Sequence, residues 1–246
     1  MNSYRADLHI HTVLSPCGDL EMSPVNIVNK ACEQALDIIG ITDHNSTRHC
    51  ALIRSLAAEK GIFVLTGAEV TTKEEVHCLA FFETDDQLLE FEQYLSNHLP
   101  QVPNNPDHFG YQLVVNELEE IIDEVEWLLI NAIDQSIEQV EQKVHSLNGL
   151  FIPAHIDKSR FSLISQLGFV PRGLKPDAFE VSAYADIPSL LPMLAGCTDK
   201  VLLRSSDAHQ LEQIGSSFTL LQMEHRSFNA IRNALNCKEQ VITGKR

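Results

Sequence analysis

Short apolar runs recur along the chain, and most of them end in a polar cluster. Ala6 to His11 reads as a first strand. Ser23 as N-cap and Pro24 at the first helical position open a helix, and Val25, Ile27, Val28, Ala31, Cys32 and Ala35 supply its buried stripe. Ile38 to Thr42 is a second strand, and Asn45 or Ser46 is the expected cap of a helix running to about Lys60 and stopped by Gly61. Ile62 to Thr66 and Val76 to Phe82 follow as strands three and four. Alternation of this kind predicts an α/β domain of parallel strands joined by helical crossovers.

Beyond Phe82 the pattern changes. Asp85-Asp86 opens a helix to about His98, after which Pro100, Pro103 and Pro106 break regularity up to Gly110. Gln112 to Val115 is strand-like, while Glu117 to Ile133 suits either one helix or a hairpin followed by a short helix. Ile137, Val140 and Val144 give a helical face before Gly149. Leu150 to Ile152, Ala178 to Val181, Val201 to Leu203 and Phe218 to Leu221 are further strands. A single domain over 1–246 is expected, with 85–148 as an insertion or elaboration within it.

Charge narrows the partners. Eighteen basic against 34 acidic residues give a net charge of −16. Such a surface repels polyphosphate backbones at long range, so a small molecule is expected rather than long nucleic acid. The cysteines at 17, 32, 50, 78, 197 and 237 show no CxxC spacing and read as reduced thiols. No apolar stretch is long enough to span a bilayer, and Met1 to Arg5 leads straight into a polar motif, so the expected location is cytoplasmic and no membrane partner is expected. Nothing in the pattern specifies an oligomeric state.

The polar clusters are Asp7-Leu8-His9-Ile10-His11, Thr42-Asp43-His44-Asn45, Gly67-Ala68-Glu69, His77, Pro153-Ala154-His155-Ile156-Asp157 and Ser206-Asp207-Ala208-His209. A barrel or open parallel sheet gathers such residues on the face where the carboxyl ends of its strands converge. His9 and His11, two apart on a strand, leave one face of the pleat and can grip one ion; Asp207 and His209 form a second pair of the same spacing. Mixed imidazoles and carboxylates suit Zn, Mn or Fe better than Ca or Mg. A glutamate such as Glu69 can bridge two ions, and Asp43, beside His44, can orient a ligand imidazole.

In these motifs the chain resembles the PHP (polymerase and histidinol phosphatase) family. The matches are Asp7-Leu8-His9-Ile10-His11-Thr12, Ile41-Thr42-Asp43-His44-Asn45, Gly67-Ala68-Glu69, Pro153-Ala154-His155 and Ser206-Asp207-Ala208-His209. The resemblance implies a distorted seven-stranded β/α barrel carrying two or three metal ions. It further implies His9, His11, Glu69, His77, His155, Asp207 and His209 as ligands, with His44 serving a third ion. One position departs from the family pattern: the aspartate common five residues after the second histidine is Pro16 here, which cannot coordinate. Asp19 is the expected substitute, with Cys17 and Glu21 as the other candidates.

The expected chemistry is hydrolysis of a phosphate ester, on a small phosphorylated metabolite or nucleotide, by a metal-bridging hydroxide. The catalytic set is then His209, Asp207, His44 and Arg160, with His209, His44 or a metal-bound water protonating the leaving group and Arg160 or Lys158 receiving the phosphate. Two alternatives stand beside it. One is a metal-dependent hydrolase of C–N bonds, which the apparent lack of a strand-end lysine disfavours. The other is a non-catalytic metal module, which the near-complete ligand set disfavours.

Overall fold

The computed structural model describes residues 1–194 and 196–245. The elements run β1 (Asn2–Ile10), α1 (Pro24–Glu33), β2 (Ile38–Ile41), α2 (Cys50–Glu59), β3 (Phe63–Thr71), β4 (His77–Phe82), α3 (Asp85–His98), α4 (Pro106–Phe109), β5 (Leu113–Val115) and β6 (Ile121–Glu124). They continue with α5 (Ile137–Ser146), β7 (Leu150–Pro153), α6 (Leu163–Leu167), β8 (Ala178–Val181), α7 (Ile187–Leu190), β9 (Val201–Arg204), β10 (Ser217–Met223), α8 (Phe228–Leu235) and β11 (Val241–Lys245). The expected capping chemistry holds for α1, where Ser23 accepts from the Asn26 amide and Pro24 occupies the first turn. Capping boxes at Thr84/Gln87 and Ser136/Gln139 start α3 and α5.

The main sheet has seven strands in the order β11-β10-β1-β2-β3-β4-β7 and curls around an apolar interior. β8 and β9 form a separate parallel pair. Asp177 N bonds Phe151 O (2.8 Å) and Ile156 N bonds Glu180 O (2.9 Å), which seats that pair beside β7. The parallel alternation expected from sequence holds only for β1-β2-β3 and β8-β9, because β4, β7, β10 and β11 pair antiparallel. No described helix is long and apolar enough to cross a membrane.

Two apolar layers line the sheet. Ala6, Leu8, Ile38, Leu65, Leu79, Phe81, Leu150 and Ile152 face the interior, which α8 plugs with Phe228, Ile231 and Leu235. Ile10, Ile39, Ile41, Val64, Val70 and Phe82 face outward, against α1, α2, α3 and α5. Because α3 and α5 bury Phe91, Leu95, Val140 and Val144 in that outer layer, the ends of segment 85–148 belong to the same core as the strands.

Three local differences from the sequence reading have physical causes. α2 begins at Cys50 rather than after Asn45 or Ser46, because those residues are engaged elsewhere. The Asn45 amide donates to Leu129 O and Asn131 O, and Ser46 and Thr47 donate to Glu92. β3 continues to Thr71 because its ladder with β4 extends to the Thr71 and His77 pair, so Glu69 lies within a strand rather than after one. Residues 117–133 contain no helix. Asn116 Oδ1 accepts from the Leu118 and Glu120 amides (both 3.0 Å) and closes a tight turn into β6, and the buried Gln112 amide then holds Val125 O, Trp127 O and Leu129 N.

Candidate metal centre

The histidines of β1 reach the interior through a change of strand register. Ala6 pairs with Ile38 and Asp7 with Ile39, but Ile10 pairs with Ile41, so β1 spends one residue more than its neighbour. Such a bulge reverses the inward and outward alternation. Leu8 accordingly packs in the interior layer and Ile10 in the outer one, which puts His9 and His11 on the interior side. Glu69 continues the inward set of Leu65 and Gly67, and His77, at the start of the antiparallel β4, lies opposite the end of β3. Gly67 is required there, since a Cβ would sit 1.8 Å from Ala80 O. His155 and Asp207 occupy left-handed backbone (φ 28° and 54°), as does Asn45 (φ 45°), so ordering them costs about 1–3 kcal/mol each.

Glu69 is the hub. Its Oε1 lies 2.9 Å from His77 Nδ1, 3.2 Å from His155 Nε2 and 3.3 Å from His9 Nε2. Its Oε2 lies 3.2 Å from His44 Nδ1 and 3.4 Å from His11 Nε2. Asp207 Oδ1 approaches His9 Nε2 (3.3 Å), His11 Nε2 (3.5 Å) and His209 Nδ1 (3.7 Å), while its Oδ2 pairs with Lys158 Nζ. Among the described residues three donor groups emerge: His9, His11 and Glu69; His44, Glu69 and His77; and His11, His44 and His209.

Hydrogen-bond direction fixes two tautomers. The Ser15 hydroxyl gives its one hydrogen to Asp43 Oδ1 (2.7 Å), so Ser15 Oγ accepts from His11 Nδ1–H (3.0 Å). His9 Nδ1–H donates to Glu180 Oε2 (2.9 Å). In the neutral rings both Nε2 atoms are then left as acceptors aimed into the cluster. Asp43 acts on the imidazole of His11 through Ser15. His44 Nδ1 and His155 Nδ1 are buried without any hydrogen-bond partner. Imidazole nitrogens, two of them without a hydrogen-bond partner, the buried Glu69 and the half-buried Asp207 form a set that fits borderline divalent cations.

Electrostatics agree. Burial opposes ionisation of Glu69, but His77 and His9 outweigh it and hold the carboxyl well below its ordinary value. Asp207 is likewise held well below, with His9 and His11 overcoming its burial. His9 is raised against its own desolvation by Glu180, Asp207 and Glu69, and His11 by Asp207 and Glu69, so these carboxylates favour positive charge at this end of the cluster. Burial and His11 push His44 well below its usual value and His209 down to about 4, so both imidazoles are neutral near pH 7 and suit metal binding better than proton donation.

The structure brings together His9, His11, His44, Glu69, His77, His155, Asp207 and His209. Asp19 stays outside: it is exposed, its carboxylate accepts from the Glu21 amide (2.9 Å), and its own amide is spent on His209 O (2.8 Å). Cys17, not Asp19, lines the cavity over the cluster, together with Ile130, Lys158, Arg160 and Phe161; this cavity measures about 340 Å³. Glu180 escaped the sequence reading, although a lone carboxylate inside the apolar run Ala178 to Val181 was a legible signal.

A family profile described as PHP domain matches residues 7–158. An uncharacterized protein of Methanocaldococcus jannaschii is 36% identical over 78 residues, covering 28% of this chain and 46% of the relative. Among solved structures, a lesion-specific endonuclease from Pyrococcus furiosus superposes with a TM-score of 0.75 at 19% identity, over 98% of this chain and 58% of that one. A two-domain protein from Bacteroides vulgatus, described as containing a predicted PHP-like metal-dependent phosphoesterase, gives 0.62 at 18% identity over 100% and 65%. The chain thus spans about half the length of the curated relative and little more than half of the endonuclease.

Proposed function

The chain belongs to the PHP domain family, and from that premise we propose that it is a metal-dependent phosphoesterase acting on a small phosphorylated substrate. The observation that carries this reading is the convergence of five imidazoles on the two oxygens of Glu69 beneath an open cavity. His9, His11, His44, Glu69, His77, His155, Asp207 and His209 would hold two or three ions of Zn, Mn or Fe. When bound, such ions supply Lewis acidity and neutralise charge on a phosphoryl group.

The chain's own groups supply the rest. Glu69 and Asp207 remain charged and keep the donor rings in place. Lys158, ion-paired to Asp207, and the exposed Arg160 put cationic donors on the cavity wall, where a phosphate needs them. The strained backbone at His155 and Asp207 aims two donors before any ligand arrives.

Lys158 also favours the second reading. It follows β7 and touches Asp207, so a lysine does stand beside the cluster, as a C–N hydrolase would use. Its ammonium is already committed to a carboxylate, which suits phosphate recognition better. Metal analysis of the purified protein, with phosphate release measured over phosphomonoesters and diesters with and without added Mn, Zn or Fe, tests the proposal. Metal-loaded protein that hydrolyses cyclic amides but releases no phosphate would overturn it.

A further inference from the structure

Phe161 stands in an unusual position for a phenylalanine. Its φ is +54°, a backbone region that bulky side chains adopt only when surrounding structure imposes it. The loop holding it there is closed at both ends. Ser162 Oγ donates to Lys158 O (2.6 Å) and caps α6, and the His77 amide donates to Phe161 O (2.9 Å). The ring stacks on His77, with centroids 4.9 Å apart and planes 13° from parallel, yet the residue is 39% exposed and lines the cavity. Ile130 lines the same cavity, while Lys158 and Arg160 bring positive charge to it. Apolar, flat and cationic side chains therefore share the lining of the cavity over the donor cluster.

From this juxtaposition we infer that Phe161 is a stacking platform for a nucleobase-like ring, so that the preferred substrates are mononucleotide phosphoesters rather than aliphatic sugar or polyol phosphates. The inference rests on the phosphoester reading above and adds a substrate class to it. An aromatic face is sequence-tolerant toward any base, and such stacking commonly changes affinity by about tenfold or more. A cavity of about 340 Å³ is matched to a single small ligand. The net charge of −16 opposes long-range capture of a polyanion, which favours a mononucleotide over a strand end. The stored backbone strain has a use on this account, because it presents the ring, backed on one face by His77, already ordered.

Adenosine 5′-monophosphate and ribose 5-phosphate share the same reacting ester and differ only by the base, so their kcat/KM ratio isolates the platform. The wild-type protein is expected to favour the nucleotide by about tenfold or more, and Phe161→Leu to lower that ratio about tenfold whatever happens to both rates in common. Saturation-transfer NMR on the purified protein gives a readout free of turnover: transfer to the base protons should exceed transfer to the ribose and fall in Phe161→Leu. Equal handling of the two esters, an unchanged ratio in the variant, or tighter binding of a short oligonucleotide than of the mononucleotide overturns the inference while leaving the phosphoester reading intact. Failure to release phosphate from any ester, with base-selective binding preserved, counts instead against the phosphoester reading.

Discussion

His9 Nε2 and His11 Nε2 face each other at 3.1 Å, and in the neutral rings both are acceptors. Each ring has committed its Nδ1 hydrogen behind it, His9 to Glu180 and His11 to Ser15. Two lone pairs at this separation repel unless a proton or a metal cation lies between or beside them, and Glu69 and Asp207 supply the negative charge that would hold either there. Glu180 is therefore a positioning residue. Its Oε2 also accepts from the His155 amide (3.0 Å), so one carboxylate oxygen sets both a tautomer and a strained turn.

Replacing Glu180 with Gln should weaken metal binding by about 10–100-fold, the usual cost of losing the group behind a ligand imidazole. Calorimetric titration of metal-stripped protein with Zn or Mn measures it. Affinity equal to wild type would show that the Glu180 charge does not set the His9 tautomer.

A longer relay reaches His11 from the β5–β6 hairpin. The Val115 amide can only donate, so His49 Nε2 accepts (3.1 Å) and His49 Nδ1–H must donate to Thr12 Oγ1 (2.7 Å), which in turn donates to Asp43 Oδ2 (2.8 Å). Burial lowers the pKa of His49, in keeping with a neutral ring. Asp43 also accepts from Thr12 N (2.7 Å) and Ser15 Oγ. Asp43→Asn puts a donor where every partner donates. A stability loss of about 1–3 kcal/mol in urea unfolding is expected, together with weaker metal binding. Stability loss without any change in metal affinity would confine the relay to a structural role.

The donors were legible because strand-end polar motifs are local in sequence, and eight of the nine expected ligands meet in one place. The strand directions were less so: His77 joins from the start of an antiparallel strand, and periodicity carries no information on direction. The bulge that turns His9 and His11 inward is invisible in a pattern that merely alternates. Asp19 lies apart from the gathered donors, its amide held to His209 O and its carboxylate to the Glu21 amide, and the first of these bonds joins residues far apart in sequence. Glu180 was overlooked because its partners, His9 and the His155 amide, are far away along the chain.

Gly67→Ala tests how closely β3 and β4 must approach beneath Glu69. The new methyl would meet Ala80 O at 1.8 Å and Phe81 Cδ1 at 2.9 Å, and the backbone oxygen cannot retreat without breaking the ladder. Destabilisation of about 1–3 kcal/mol or more is expected from such overpacking, read as a lower urea midpoint. A midpoint equal to wild type would mean that the two strands separate at little cost.

His145 gives a pH-dependent contribution distant from the metal cluster. Its Nε2 lies 3.1 Å from Asp177 Oδ2 and its Nδ1 2.9 Å from Glu141 Oε1, while Asp177 also accepts from Phe151 N (2.7 Å) at the start of β7. The hydrogen bond to Asp177 raises the imidazole pKa despite partial burial, with the charges of Asp177 and Glu141 adding to it. A group whose folded pKa is raised stabilises fully below its unfolded value, about 6.5 for histidine, and this stabilisation fades as pH climbs through the folded value. The wild-type protein should therefore lose more stability than His145→Gln as pH rises across that window, with a constant difference above it. Urea unfolding of both proteins across that window, with metal content held constant, measures the difference. Parallel curves would show that neither carboxylate retains the imidazolium in the fold.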